Sequence, residues 1–283
     1  MVREGLLKKS AYSIEALSRQ DVKEMLGAIA GDIIGSVHEF QAPKHKDFPL
    51  FVAGSRYTDD SVLSVAVADC LLTGCNYVDK FHEYAHAYPH RGYGAGFWHW
   101  VTSGSRQPYN SWGNGSAMRV SHVGFAFQTL DEVLNHARAS AEVTHNHPEG
   151  IRGAQATAAA IFLARQGDPK ARIRSLIEKQ FGYDLSRSTA EIRPTYSFNE
   201  SCQETVPEAI TAFLDSEDYE DAVRLAISLG GDADTLACIT GGIASAFYGG
   251  VPASIGQRAL TLLDEPLRRI VTRFCETHGI ALP

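Results

Sequence analysis

The chain of 283 residues lacks several features that would have narrowed its class at once. No run of about eighteen apolar residues is present, so a membrane-spanning helix is not expected. No block of Lys or Arg stands out and the formal net charge is −7, so nucleic acid is not indicated as a partner. The five cysteines are scattered and odd in number, which suits reduced thiols better than a disulfide framework. Residues 1–20 are polar and carry no signal-peptide pattern, so a cytoplasmic location is expected. No linker rich in Pro, Gly or Ser divides the chain and no coiled-coil heptads appear. The expectation is therefore a monomer with a polar extension at 1–20 and one domain at 21–283.

What the chain does have is helical periodicity. Apolar residues at Leu26, Ile29, Ile33 and Ile34 form a stripe within 21–34. A second segment follows Thr58 and carries Val62, Leu63, Val65, Ala66, Leu71 and Leu72. Further helices are predicted at 79–87, 130–142, 153–165, 207–214, 219–229, 235–248 and 266–277. About ten helices and few strand signals predict an all-α, compact single-domain helical bundle. Loops are expected at 41–57, 89–118 and 184–205; the second is long for a structureless connection and so is a functional candidate.

Two short acidic segments stand just ahead of hydrophobic helices: Thr58-Asp59-Asp60-Ser61 and Gly230-Gly231-Asp232-Ala233-Asp234-Thr235. Alone, each reads as helix capping, because Thr and Asp satisfy free N–H groups and oppose the helix dipole. Together they offer four carboxylates and two hydroxyls, the oxygen donors that Mg²⁺ or Mn²⁺ prefers. Four carboxylates in one cleft would repel one another, and a cation would relieve that cost. Spacing alone does not establish that the segments meet.

Five motifs in order make the chain resemble the ADP-ribosylglycohydrolases. They are LGAIAGDIIGSVHEF at 26–40, YTDDSVL at 57–63, WGNGSAMRVSHVG at 112–124, VTHNHPE at 143–149 and LGGDADTLACIT at 229–240. The resemblance implies an all-α fold with a central dinuclear metal cleft and two Mg²⁺ or Mn²⁺ ions. It assigns Thr58, Asp59, Asp60, Asp232, Asp234 and Thr235 to the metals and Asn114, Gly115, Ser116, Met118 and His145 to ADP-ribose. It places the adenosine side near Tyr248. The implied activity is metal-dependent hydrolysis of the bond between ADP-ribose and its acceptor, a protein side chain or small molecule. A catalytically inactive ADP-ribose-binding module and a two-metal phosphoesterase are the alternatives. The segment 89–108 carries no acid, so Glu39 is the first choice for acid/base catalysis and Asp60 the second.

Other motifs are weaker. His82-Glu83-Tyr84-Ala85-His86 fits the zinc pattern H-E-x-x-H, but Pro89 and Gly92 break its long form and chance explains it better. Gly27, Gly31 and Gly35 recur every four residues, which favours close helix packing. Asp32 on that stretch reads as a buried hydrogen-bonding residue near the site and not as a metal ligand. Trp98, Trp100 and Trp112 could stack on an adenine but read better as core aromatics, His147 reads as part of a capped turn, and Arg119 as a partner for Glu149.

Overall fold

The structure, a computed structural model, describes residues 26–279. The extension at 1–20 and the start of the first expected helix, 21–25, lie outside the described residues. Fifteen helices occur among them: α1 (Gly27–Gly35), α2 (Asp59–Thr73), α3 (Tyr77–Ala87), α4 (Ala95–Thr102), α5 (Gly115–Met118), α6 (Ser121–Ala126), α7 (Leu130–Glu142), α8 (Pro148–Arg165), α9 (Lys170–Phe181), α10 (Thr189–Ile192), α11 (Cys202–Asp215), α12 (Tyr219–Ser228), α13 (Ala233–Tyr248), α14 (Ala253–Leu262) and α15 (Glu265–His278). No strand is found among the described residues, only an isolated antiparallel bridge between Gly113 and Ser201. One continuous apolar core joins α1 to α15, in keeping with the expected all-α single domain.

The axis of the bundle is α13, buried at every residue from Ala233 to Ala246 and packed against α1, α8, α11 and α12. Its pairing with α1 decides where the site lies. A Cβ built on Gly27 would fall 2.2 Å from Gly241 O, one on Gly31 2.1 Å from Ala237 O, and one on Gly35 2.5 Å from Asp234 Cα. The two backbones touch along an antiparallel seam that only glycine permits, so the C-terminal end of α1 sits against the N-terminal end of α13.

Helix ends follow local chemistry. Asp60 N–H donates to Thr58 Oγ1 at 3.3 Å at the start of α2, and Gly74 closes that helix with φ of 68°. A capping box between Thr129 and Glu132 opens α7, whose bounds match the expectation. The sequence pattern starts several helices too late, most of all α8 and α11. α8 begins at Pro148, where His147 Nδ1 accepts the Glu149 N–H at 3.1 Å. α11 begins at Cys202, with Pro207 inside it, although proline favours a first turn. The expected loop at 89–118 also needs correction, since it contains α4 and α5. The sequence of α4, AGFWHWVT, is dominated by aromatic and β-branched residues of low helix propensity and holds its shape through packing of Phe97, Trp100 and Val101.

Candidate functional site

Three helix ends converge: the last turn of α1 and the first turns of α2 and α13. Asp32, fully buried near the end of α1, accepts from Thr58 N–H at 3.0 Å, Thr58 Oγ1 at 2.7 Å and Ser61 N–H at 3.2 Å, and also from the Ser61 hydroxyl. It thus caps α2 from another helix. Thr235 Oγ1, at the start of α13, donates to Asp60 Oδ2 at 3.4 Å, a contact between residues 175 positions apart. The two acidic segments meet.

Ligand-capable oxygens gather in two overlapping groups. Asp32, Asp60 and Asp234 place carboxylate oxygens within 4.8 Å of one another, and so do Glu39, Asp232 and Asp234. Asp234 belongs to both. Asp232 stands at the N-cap position of α13 but makes no capping bond; its Oδ2 accepts from Asn114 Nδ2 at 2.7 Å. That amide also donates to Thr205 Oγ1 at 3.1 Å. Asp232 is delivered by the turn Gly230-Gly231, whose φ values of 83° and 82° suit glycine. Asp59 is held by its N–H on Arg91 O at 2.9 Å and is partly open to the cleft.

The electrostatics are those of crowded acids. Burial, then repulsion from Asp32, pushes the Asp59 and Asp60 carboxyls well above the usual range. Burial, then Asp232, does the same to Asp234. Burial first, then Asp232, raises Glu39 to about 7. Asp60 Oδ1 is buried and has no hydrogen-bond partner among the described residues. A buried acceptor without a donor is costly. An all-oxygen donor set, mutual repulsion and an orphaned carboxylate oxygen together fit a hard divalent cation.

Glu39, Asp59, Asp60, Asp232 and Asp234 form the floor of a cleft of about 310 Å³, with Asp32 buried behind them. The cleft is lined further by Gly92, Gly94, Gly96 and Phe97 around α4, by Tyr109, Gly113, Asn114, Gly115, Met118 and Arg119, and by His145 and Glu200. A Cβ on Gly115 would come 3.3 Å from His145 Nε2, and one on Gly113 3.5 Å, so the glycines let the imidazole approach the loop. His145 Nδ1 lies 2.7 Å from Thr144 Oγ1, which accepts from Arg119 Nη2 at 2.9 Å. Beside Glu39 in the chain, the exposed Phe40 stacks on the exposed Phe198 with centroids 5.7 Å apart. Lys44 fastens the segments behind them, donating to Arg193 O at 3.1 Å, to Tyr196 O at 2.6 Å and to Leu229 O.

Of the residues singled out in the sequence, Glu39, Asp59, Asp60, Asp232, Asp234, Thr235, Asn114, Gly115, Met118 and His145 line this cleft. Thr58 lies just behind, tied to Asp32. Ser116 does not line it: its hydroxyl donates to Gly150 O at 2.7 Å and joins α5 to α8. Tyr248 stands at the far end of α13, about 20 Å from Asp234 by helical rise. Its hydroxyl donates to Ser216 O at 2.6 Å, and Tyr248 is not among the residues that line the cleft. Arg119 does not pair with Glu149, which binds Arg152 at 2.8 Å; Arg119 lies over Phe81 instead. Trp112 is 52% exposed, not core. His82 holds Ser105 O at 2.9 Å beside Trp100, a structural role. Sequence reasoning did not single out Tyr109 or Glu200, which belong to no motif, and it read Asp32 without its place beside Asp60 and Asp234.

Comparison with known proteins agrees with this geometry. The sequence model of the ADP-ribosylglycohydrolase family matches residues 21–278. The ADP-ribosylhydrolase ARH3 of Bos taurus is 28% identical, over 80% of this chain and 84% of its own. The ADP-ribosylarginine hydrolase Tri1 of Pseudomonas putida is 25% identical, over 80% of this chain and 69% of its own. A solved structure described as an ADP-ribosylglycohydrolase-related protein complex superposes with a TM-score of 0.68 at 22% identity, covering 93% of this chain and all of that one, and shares the fold.

Proposed function

The chain belongs to the ADP-ribosylglycohydrolase family, and from that premise we propose that it is a metal-dependent hydrolase that cuts the glycosidic bond between ADP-ribose and an acceptor on a protein side chain or small molecule. The observation that carries this reading is the meeting of two carboxylate groups, sharing Asp234, on the floor of a cleft walled by the Asn114 loop.

Thr58, Asp59, Asp60, Asp232, Asp234 and Thr235 would hold two Mg²⁺ or Mn²⁺ ions, with Glu39 and Asp32 close enough to share in the charge. When bound, such ions supply charge neutralisation and a more acidic bound water. Asn114 fixes Asp232 and so keeps the floor rigid. Gly113 and Gly115 leave the loop backbone open to ligand oxygens. Glu39, half-buried and with a carboxyl near 7, can both take and give a proton near neutral pH, which suits general acid/base work at an anomeric carbon. Asp60 is buried more deeply and accepts from Thr235, so it serves better as a fixed acceptor than as the base.

The test is incubation with peptides ADP-ribosylated on Arg, Ser or Thr, with and without a chelator, and chromatography of the products. Chelator-sensitive release of free ADP-ribose is expected. Binding of ADP-ribose with no turnover on any acceptor would replace the proposal with a binding module, and release of AMP would replace it with a phosphoesterase.

A further inference from the structure

Arg119 is an unusual cation. It is fully buried, counts among the residues that line the cleft, and has no carboxylate partner among the described residues, where its Nε and Nη1 also find no acceptor. Its Nη2 donates to Ser140 O at 2.7 Å and to Thr144 Oγ1 at 2.9 Å. A guanidinium only donates, so the Thr144 hydroxyl must accept from it. The hydroxyl retains one proton, and the acceptor available for it is His145 Nδ1 at 2.7 Å. Reversing that bond would leave the buried hydroxyl proton without a partner. Nδ1 therefore accepts, and the neutral imidazole carries its proton on Nε2, the nitrogen that faces Gly113 and Gly115.

We propose that Arg119 and Thr144 are positioning residues that lock His145 in the Nε2–H form, so that it presents a hydrogen-bond donor, and not a base, to an acceptor oxygen of the ADP-ribosyl group. Naming that ligand rests on the proposed function; the direction of the relay does not. Burial and the Arg119 charge both hold His145 below its ordinary pKa, which keeps the ring neutral. The Arg119 guanidinium reaches the ring only through the Thr144 hydroxyl, by its Nη2. Its charge polarises the Thr144 hydroxyl toward the ring, and the chain of bonds runs one way from guanidinium to cleft.

The experiment is long-range ¹⁵N–¹H NMR of the histidine-labelled protein, which reports the protonated ring nitrogen of His145, alongside steady-state kinetics of Thr144→Val and Thr144→Ser. The wild-type protein should show Nε2–H, and Thr144→Ser should keep both this signal and the wild-type KM. Thr144→Val should lose the single tautomer and raise KM about fivefold, the factor given by the net contribution of one hydrogen bond, with kcat within about twofold. A proton on Nδ1 in the wild-type protein overturns the proposal, as does a Val variant that keeps both the tautomer and KM. A protein that releases no ADP-ribose would refute the functional reading while the NMR result still decides the relay.

Discussion

Asp234→Asn isolates the charge at the junction of the two carboxylate groups. The amide retains an Oδ1 acceptor for the Thr235 N–H, now at 3.0 Å, so local geometry survives while one negative charge is removed. The sign follows from the raised carboxyl. A carboxyl raised on folding favours the folded state at low pH and loses that advantage as pH climbs from its unfolded value through its folded one. Near pH 7.5 the metal-free wild-type protein therefore bears a repulsion that the Asn variant lacks. The variant should melt at the same temperature or higher without metal, and the gap should widen with pH. Adding Mn²⁺ at about a hundredfold above its Kd stabilises the wild type by about 2.7 kcal/mol. At about 2 °C per kcal/mol for a chain of this size, that is a rise of about 5 °C. The variant, short of a carboxylate in both groups, should rise by less than about 1 °C and lose most of its turnover. Differential scanning fluorimetry at pH 6, 7 and 8 with a metal titration measures each part. A variant that melts lower without metal and gains as much with it would show that Asp234 is a structural cap and that the charge argument is wrong.

Gly35→Ala would drive a Cβ to 2.5 Å from Asp234 Cα; we expect a loss of about 1–3 kcal/mol together with the metal-induced rise in Tm, measured by the same titration. Glu39→Gln should lower kcat by about 10²–10⁴-fold with a smaller change in KM, and a kcat within tenfold of wild type would remove Glu39 from acid/base catalysis. His122 is buried and held down to about 3 by burial, so it is neutral in the fold and charged in the unfolded chain below 6.5. Its contribution is complete above 6.5 and is lost toward pH 3, at up to about 1.4 kcal/mol per pH unit. Denaturant melts of His122→Leu should show a shallower acid slope than those of wild type.

How much of this could be read from sequence depended on the range of the interactions. α7 was legible to the residue because its cap, Thr129 with Glu132, is local. The two acidic segments were legible because each pairs carboxylates with a hydroxyl at a helix start, although the Thr235–Asp60 contact was not visible in either one. Asp32 could be seen as buried beside the site, but its position relative to Asp60 and Asp234 depends on where α1 crosses α13. Ser116 sits within a cleft motif yet turns to Gly150, since motif position does not fix side-chain direction. α4 went unseen because tertiary packing outweighs its poor propensity.

The three bonds from Lys44 carry a lesson for anyone who wishes to exchange the stretches at 41–57 and 184–205. One ammonium knits the stretch at 41–57, the stretch at 184–205 and the turn that delivers Asp232 into a single brace. Transplanting either stretch alone from a relative would strand carbonyls or the ammonium, and the disturbance would travel through Gly230 to the floor. Exchanging both stretches together, with the lysine retained, is the change this architecture tolerates.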